Sequence, residues 1–281
     1  MLRRVQTAYL LSVFAPIALA LAACDVGSSN TDGGSAGDCR SPSCSETVKQ
    51  NNTCVSDVSI PLGKYRVLNN LWGRNHAGVT GSQCSWSTCN TDSGISWGTE
   101  YSWFGGPSGE VTSYSAAILG WHWSAIGADT GLPVQLSAHT PINCSWSFKV
   151  KQTAVSVQNV AYDIWLSTSP DPGNTSPTDE VMIWLYGSGA ASPIGGTAVD
   201  TLSLPSGNFG LSEGRNGSWN VHSFVRTGTA TCSDLNLSDF FDFLIEKRGL
   251  SPDKYVIGIE AGTEVFSGAG SVTTDHFSCE I

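Results

Sequence analysis

Past residue 60 the chain alternates apolar and polar positions in short runs broken by Gly, Ser, Asn and Pro. The segments KYRVLNNLW, AAILGWHW, SWSFKVK, AVSVQNVAYDIWLS, EVMIWLYG, WNVHSFVRT, KYVIGIEAG and SVTTDHFSCEI are rich in β-branched and aromatic residues, which suit a pleated, half-buried surface. One segment breaks the period. SDFFDFLIEKRG sets Phe240, Phe241, Leu244 and Ile245 at helical spacing, with Ser238 as an N-cap candidate and Gly249 as a stop. Many strands with a single helix near 238–248 predict an all-β sandwich of jelly-roll type rather than a βαβ fold.

Alternate side chains of a strand face opposite ways. In EVMIWLYG, Glu180, Met182 and Trp184 therefore share one face, and Val181, Ile183 and Leu185 form the core-facing set. A carboxylate, a thioether and an indole on one surface suit a sugar cleft better than plain solvent. In YVIGIEAGTEVFSG, Glu260, Gly262, Glu264 and Phe266 share a face, opposite Ile259, Ala261 and Val265. Asp163 in NVAYDIWLS shares a face with Ala161 and Trp165. Glycoside hydrolysis needs two such groups, one carboxylic acid kept protonated to donate to the leaving oxygen and one ionised carboxylate. Burial and like-charged neighbours raise the first pKa, while hydrogen bonds keep the second group ionised.

The N-terminus changes the setting. Arg3 and Arg4 precede an apolar segment from Ala8 to Ala23, too short and too broken to span a membrane, so residues 1–23 read as a secretory signal. Leu21-Ala22-Ala23-Cys24 resembles a lipobox, which makes Cys24 the lipidated first residue of an envelope lipoprotein held to a membrane by its anchor, on the outer membrane or cell surface or released from it. The alternative is cleavage at the same small residues, with Cys24 an ordinary thiol. Residues 24–51 carry few apolar positions and read as a flexible tether, which leaves 52–281 as one globular domain. Of nine cysteines, the eight other than Cys24 form an even set, read as disulfides in an exported chain. The net charge of −10 with no basic stripe argues against nucleic acid. Only 14% of residues are charged against 10 Trp, which suits a neutral, flat-faced ligand such as a sugar polymer.

NNLWG, NVAYDIW, DEVMIWL, PIGG, SFVRT and AGTEVFSG occur in the order of glycoside hydrolase family 12, and the chain resembles that family from about Cys54 to Ile281. The resemblance implies a jelly roll of two antiparallel sheets with a concave cleft. It also implies an endo-acting β-1,4-glucanase that works with retention and needs neither metal nor organic cofactor. Retention corresponds to carboxyl groups about 5–5.5 Å apart. By motif, Glu180 looks like the nucleophile, Glu264 the general acid/base, and Asp163 the acid that hydrogen-bonds the nucleophile. Asn70 and Trp72 resemble residues that bind the glycone side. Met182 and Trp184 resemble cleft-floor positions, and Pro193 and Ile194 a bordering loop. Cys54 and Cys84 occupy the positions of a bridge common in the family.

This chain departs from the pattern at three places. Glu260 stands where the family often has Gln, and a cleft-facing charge there is expected to push the Glu264 pKa upward. Val265 replaces a common Pro. Trp121 stands in GWHW where some relatives have Cys, and His122 is either a cleft residue or a packed strand histidine. The expected substrate is cellulose-type or mixed-linkage β-glucan, acted on by a monomer. The alternatives are a xyloglucan-specific endoglucanase or a non-catalytic carbohydrate-binding surface lipoprotein.

Overall fold

The computed structural model describes Cys39 and residues 48–281, except Ser124 and Asn174. The expected signal segment, the candidate lipidation site Cys24 and most of the expected tether lie outside the described residues. In chain order the first strands are β1 (Gln50–Thr53), β2 (Ser59–Leu62), β3 (Tyr65–Asn70), β4 (Thr80–Thr91), β5 (Gly94–Phe104) and β6 (Ser113–His122). They are followed by β7 (Ala125–Ile126), β8 (Val134–Gln135), β9 (Asn143–Gln152), β10 (Val157–Ser167) and β11 (Asp179–Ser188). The last are β12 (Asp200–Leu204), β13 (Gly207–Asn216), β14 (Trp219–Arg226), β15 (Cys232–Asn236) and β16 (Tyr255–Glu280), with helix α1 (Ser238–Phe243) before β16.

Two sheets share one strand. The first sheet has the order β2-β3-β6-β16-β10-β11-β14-β13-β12. The second has the order β1-β4-β5-β16-β9-β15. Strand β16 pairs in the first sheet through Ser267 and in the second from Gly268 onward. Gly268 makes the changeover with φ +109°, and a Cβ there would lie 2.4 Å from the Val155 carbonyl oxygen. Only glycine fits that turn.

The core lies between the sheets. Val181, Ile183, Leu185 and Ile259 of the first sheet meet Trp97, Trp146, Phe148 and Phe277 of the second. Helix α1 closes one side, with Phe240 buried 5.1 Å from Phe209 and 5.0 Å from Phe224, ring centre to ring centre. Truncating so enclosed a ring to Ala costs about 3–5 kcal/mol. The helix continues as a π-turn over Leu244–Arg248 and ends at Gly249, φ +74°, as its sequence predicts. Ser238 is not the N-cap. Leu237 holds that place, and the Ser238 hydroxyl donates instead to the Thr140 carbonyl at 2.6 Å.

The expectation of purely antiparallel sheets needs one correction, because β11 and β14 run parallel. The β11–β12 connection returns the chain so that β12 starts in the direction of β11, and the β12–β13–β14 meander then brings β14 beside β11. That connection crosses the face of the sheet turned away from the core. Ala191 packs on Met182 and Trp184, Ile194 lies against Gly214, and the Gly196 carbonyl accepts from Ser212 at 2.8 Å.

Disulfides cross-link the strands. The Cys54–Cys84 bridge is present, and two further pairs are Cys144–Cys279 and Cys39–Cys232. Cys89 is also disulfide-bonded. The Cys39–Cys232 bond ties Cys39 to β15.

Candidate active site

A cavity of about 690 Å³ opens on the outer face of the first sheet, lined by Asn70, Trp72, Tyr114, His122, Asp163, Glu180, Glu260 and Glu264 among others. Strand register explains the gathering. Glu260 on β16 stands opposite Asp163 on β10, which stands opposite Met182 on β11. Glu180 lies toward one end, opposite Trp165, and Glu264 toward the other, opposite Tyr114 on β6. Between them the floor is made of small residues, Ala116, Gly262 and Ala161 in one row. The Tyr114 side chain spans β16 there, its hydroxyl donating to the Ala161 carbonyl at 3.3 Å. A Cβ on Gly262 would come within 2.6 Å of the Ala116 Cβ, so the depression depends on that glycine.

Each carboxyl has different partners. Glu180 accepts a hydrogen bond from Trp219 Nε1 at 2.6 Å. Glu264 accepts from Asn159 Nδ2, while its own backbone N–H donates to Asn159 Oδ1 at 3.1 Å. Glu260 accepts from Trp165 Nε1 at 2.8 Å and meets His122 Nδ1 at 2.6 Å on the same oxygen. Asp163 Oδ1 is buried with no hydrogen-bond partner.

These surroundings raise Glu264, Glu180 and Asp163 alike. Burial pushes Glu264 up to about 7, against the lowering effect of the Asn159 hydrogen bond. Burial also raises Glu180, to about 8; the charges of Glu264 and Glu260 add to this, while the Trp219 and Asp163 hydrogen bonds oppose it. Asp163 is raised well above the carboxylate range, first by burial and then by the charge of Glu180. Glu180 has an indole donor and the Asp163 Oδ1 has none, so a proton shared by the two is better placed on Asp163 than on Glu180. Burial pushes the Tyr114 phenol up, and the charges of Asp163, Glu260, Glu264 and Glu180 all push it further, which places it among the four acids. The charge of Glu260 bears on Asp163 and Glu180, whereas burial and Asn159 set Glu264. The expectation that Glu260 tunes Glu264 is therefore corrected. The His122–Glu260 contact keeps the imidazole pKa raised despite the burial that lowers it.

Aromatic rings wall the cavity at both ends. Trp72 is 54% exposed in a turn that follows Asn70, whose Oδ1 accepts from the Trp72 backbone N–H at 3.2 Å. At the other end Trp121, Trp123, Trp165 and Trp219 form a cluster with ring centres 5.4 to 6.4 Å apart. Paired acids between flat apolar walls are equipped to bind and cleave a sugar chain.

Residues 63–281 match the family model described as Glycosyl hydrolase family 12. The chain belongs to that family. Endoglucanase S of Pectobacterium parmentieri is 34% identical over 229 residues, covering 78% of this chain and 82% of that protein. A protein of Phytophthora nicotianae named as an inactive glycoside hydrolase is 36% identical over 222 residues, covering 78% of this chain and 87% of its own. The solved structure of a family 12 xyloglucanase from Bacillus licheniformis superposes with a TM-score of 0.72 at 32% identity, covering 82% of this chain and 99% of that one. The fold of this family 12 chain is thus the jelly roll expected from its sequence.

Of the family 12 residues expected in the cleft, Glu180, Glu264, Asp163, Asn70, Trp72, His122 and Glu260 line one cavity. Met182 and Trp184 share the face of Glu180 but lie buried under the β11–β12 connection, beside Ala191, and do not line it. Pro193 and Ile194 belong to that connection and lie outside the cavity lining. Sequence reasoning missed Tyr114, Asn159, Arg66, Trp123 and Trp219. Asn159 stands in register with Ala161 and Asp163, so alternation could have found it. Tyr114 could not be found that way, because β6 is buried on both faces and shows no alternation.

Proposed function

We propose that the protein is an endo-acting β-1,4-glucanase of cellulose-type or mixed-linkage β-glucan, working by double displacement. Glu180 attacks the anomeric carbon as the C–O bond to the leaving sugar breaks, and Glu264 gives its proton to the departing oxygen. Glu264 then takes a proton from water, whose oxygen attacks the same carbon and releases Glu180. Asp163 holds the proton shared with Glu180 and so keeps the nucleophile ionised. Asn70 and Trp72 bind the chain on the glycone side. No step calls on a metal or organic cofactor. The observation that carries the reading is the pair of carboxyl groups with different partners, Glu180 held by the Trp219 indole and Glu264 by the Asn159 amide, in one aromatic-walled cavity.

A xyloglucan-specific activity is the second reading, favoured by the structural likeness to the Bacillus licheniformis xyloglucanase. The Phytophthora relative named inactive makes activity itself the first thing to measure. Reducing-sugar release from carboxymethylcellulose, barley β-glucan and xyloglucan decides among these, and silence on all three defeats the enzyme reading. Glu180→Ala should abolish turnover, with partial rescue by azide or formate. Proton NMR of the first product should show the β-anomer; an α-anomer would overturn the double displacement.

The disulfides support export to an oxidising compartment. Lipidation at Cys24, anchorage to the cell envelope and a monomeric state complete the reading. Mass spectrometry of the mature N-terminus tests the first of these, fractionation the second and light scattering the third.

A further inference from the structure

Strands β10 and β16 lie side by side under the cavity, but their ladder has a gap. Gln158 pairs with Val265 and Ala161 with Gly262, and the residues between, Asn159 and Val160, form no rung with Glu264 and Thr263. Buried backbone groups need partners, and here side chains supply them. The Glu264 N–H donates to Asn159 Oδ1 at 3.1 Å, and the Thr263 hydroxyl donates to the Asn159 carbonyl at 2.5 Å. Asn159 is thus held through its backbone by Thr263 and through its side chain by the Glu264 N–H. Its Nδ2 in turn grips the Glu264 carboxylate.

The Thr263 hydroxyl has one proton to give and two acceptors nearby. Gln158 Oε1 lies 3.5 Å away and already accepts from the Tyr101 hydroxyl at 2.6 Å, so the proton goes to the nearer Asn159 carbonyl. The residue type supports this. Thr263 belongs to a row of alternate, fully buried positions whose other members, Ile259, Ala261 and Val265, are apolar. Valine would fill the same space with no polar group to satisfy, and a buried hydroxyl is costly unless it is bonded. Alternation also turns the Thr263 side chain away from Glu264, and it does not line the cavity. Its route to the reaction runs through Asn159.

We propose that Thr263 is a positioning residue for the proton donor. Its hydroxyl stands in for the backbone N–H that the ladder lacks at this point, fixes the Asn159 peptide, and so keeps the Asn159 amide on Glu264. The Glu264 carboxyl must meet the leaving oxygen within hydrogen-bond reach, so a small swing of Asn159 misplaces the proton. This rests on the reading of Glu264 as the general acid/base.

The test compares Thr263→Val, which keeps the shape and removes the donor, with Thr263→Ser, which keeps the donor. On barley β-glucan the valine variant should lose roughly three- to tenfold in kcat, the weight of one hydrogen bond. KM should not move, because the side chain meets no substrate. The serine variant should recover most of kcat. An aryl cellobioside with a good leaving group should feel the valine change much less in its glycosylation step. Placed on top of Asn159→Ala, the valine change should cost nothing further, since the amide it positions is gone. Thr263→Ala takes the place of valine if that variant does not fold. A folded variant without the hydroxyl that keeps native kcat on β-glucan overturns the positioning role. So does an equal loss in the valine and serine variants, or a loss that adds in full to that of Asn159→Ala. Those outcomes leave the function reading standing. A native enzyme inactive on both substrates overturns that reading and the role of Thr263 with it.

Discussion

Asp179 and Glu180 are consecutive residues of β11 that serve opposite sides of the sheet. Glu180 enters the cavity and takes the Trp219 N–H at 2.6 Å. Asp179 is buried away from it, ion-paired with Lys254, accepting from Asn220 Nδ2 at 3.1 Å, with His222 Nε2 at 3.6 Å. Parallel pairing sets Asp179 opposite Asn220 and Glu180 opposite Val221. A one-residue slip would exchange the two acids, so the Lys254 clamp fixes the register that aims Glu180.

Breaking that clamp should be costly. Asp179→Asn leaves Lys254 without its partner, and a loss of about 3 kcal/mol is expected from breaking a buried pair. Burial alone would raise the Asp179 pKa, but the His222, Lys254 and Asn220 contacts outweigh it and hold the carboxyl far below its ordinary range. A depressed carboxyl contributes stability that is complete above its unfolded pKa near 4 and fades as pH falls through the folded value. Urea unfolding should therefore show the gap between parent and Asp179→Asn widest at pH 7 and narrowing below pH 4. A gap of constant size across that range would mean that the charge plays no part.

Glu260 gives a second pH prediction. It faces Asp163 from β10, Glu180 from β11, His122 from β6 and Arg66 from β3, with Glu264 two residues along from Gly262 on its own strand. Its charge raises Glu180. Glu260→Gln should accordingly lower the Glu180 pKa and move the acid limb of kcat/KM to lower pH. The basic limb, set by Glu264, should stay where it is, since Glu260 does not enter its shift. His122→Gln removes the cation that offsets Glu260 and should move the acid limb the other way. Profiles of the two variants that shift in the same direction would refute this account.

The sequence made some of this arrangement readable and hid the rest for physical reasons. Alternation put Glu180, Met182 and Trp184 on one face, and Val181, Ile183 and Leu185 in the core. It could not say whether that face was open. The β11–β12 connection covers Met182 and Trp184 yet leaves Glu180 in the cavity, and no local pattern in the strand records a loop laid across it. The parallel β11–β14 pair was hidden for the same reason, because it follows from where that loop returns the chain. Helix α1 was readable because its apolar spacing is local, but Leu237 took the N-cap place once Ser238 found Thr140 across the fold. The target of the Glu260 charge depended on cross-strand register, which places Asp163 opposite it.

Asn159 holds Glu264 from two sides and supplies the last prediction. Its amide donates to the carboxylate and accepts from the Glu264 backbone N–H at 3.1 Å. Burial raises Glu264 and the Asn159 bond draws it back to about 7. Asn159→Ala removes the bond that favours the ionised form, so the acid should stay protonated to higher pH and the basic limb of kcat/KM should move upward. The same change frees the side chain to leave the leaving oxygen, and kcat on β-glucan should drop roughly 10- to 100-fold through lost positioning. An aryl cellobioside with a good leaving group needs little help from the acid in its first step, so its glycosylation rate should fall much less. If polymer and aryl glycoside lost rate equally and the basic limb held still, Asn159 would be a part of the strand and nothing more, and the assignment of Glu264 as the proton donor would lose its support from this pair.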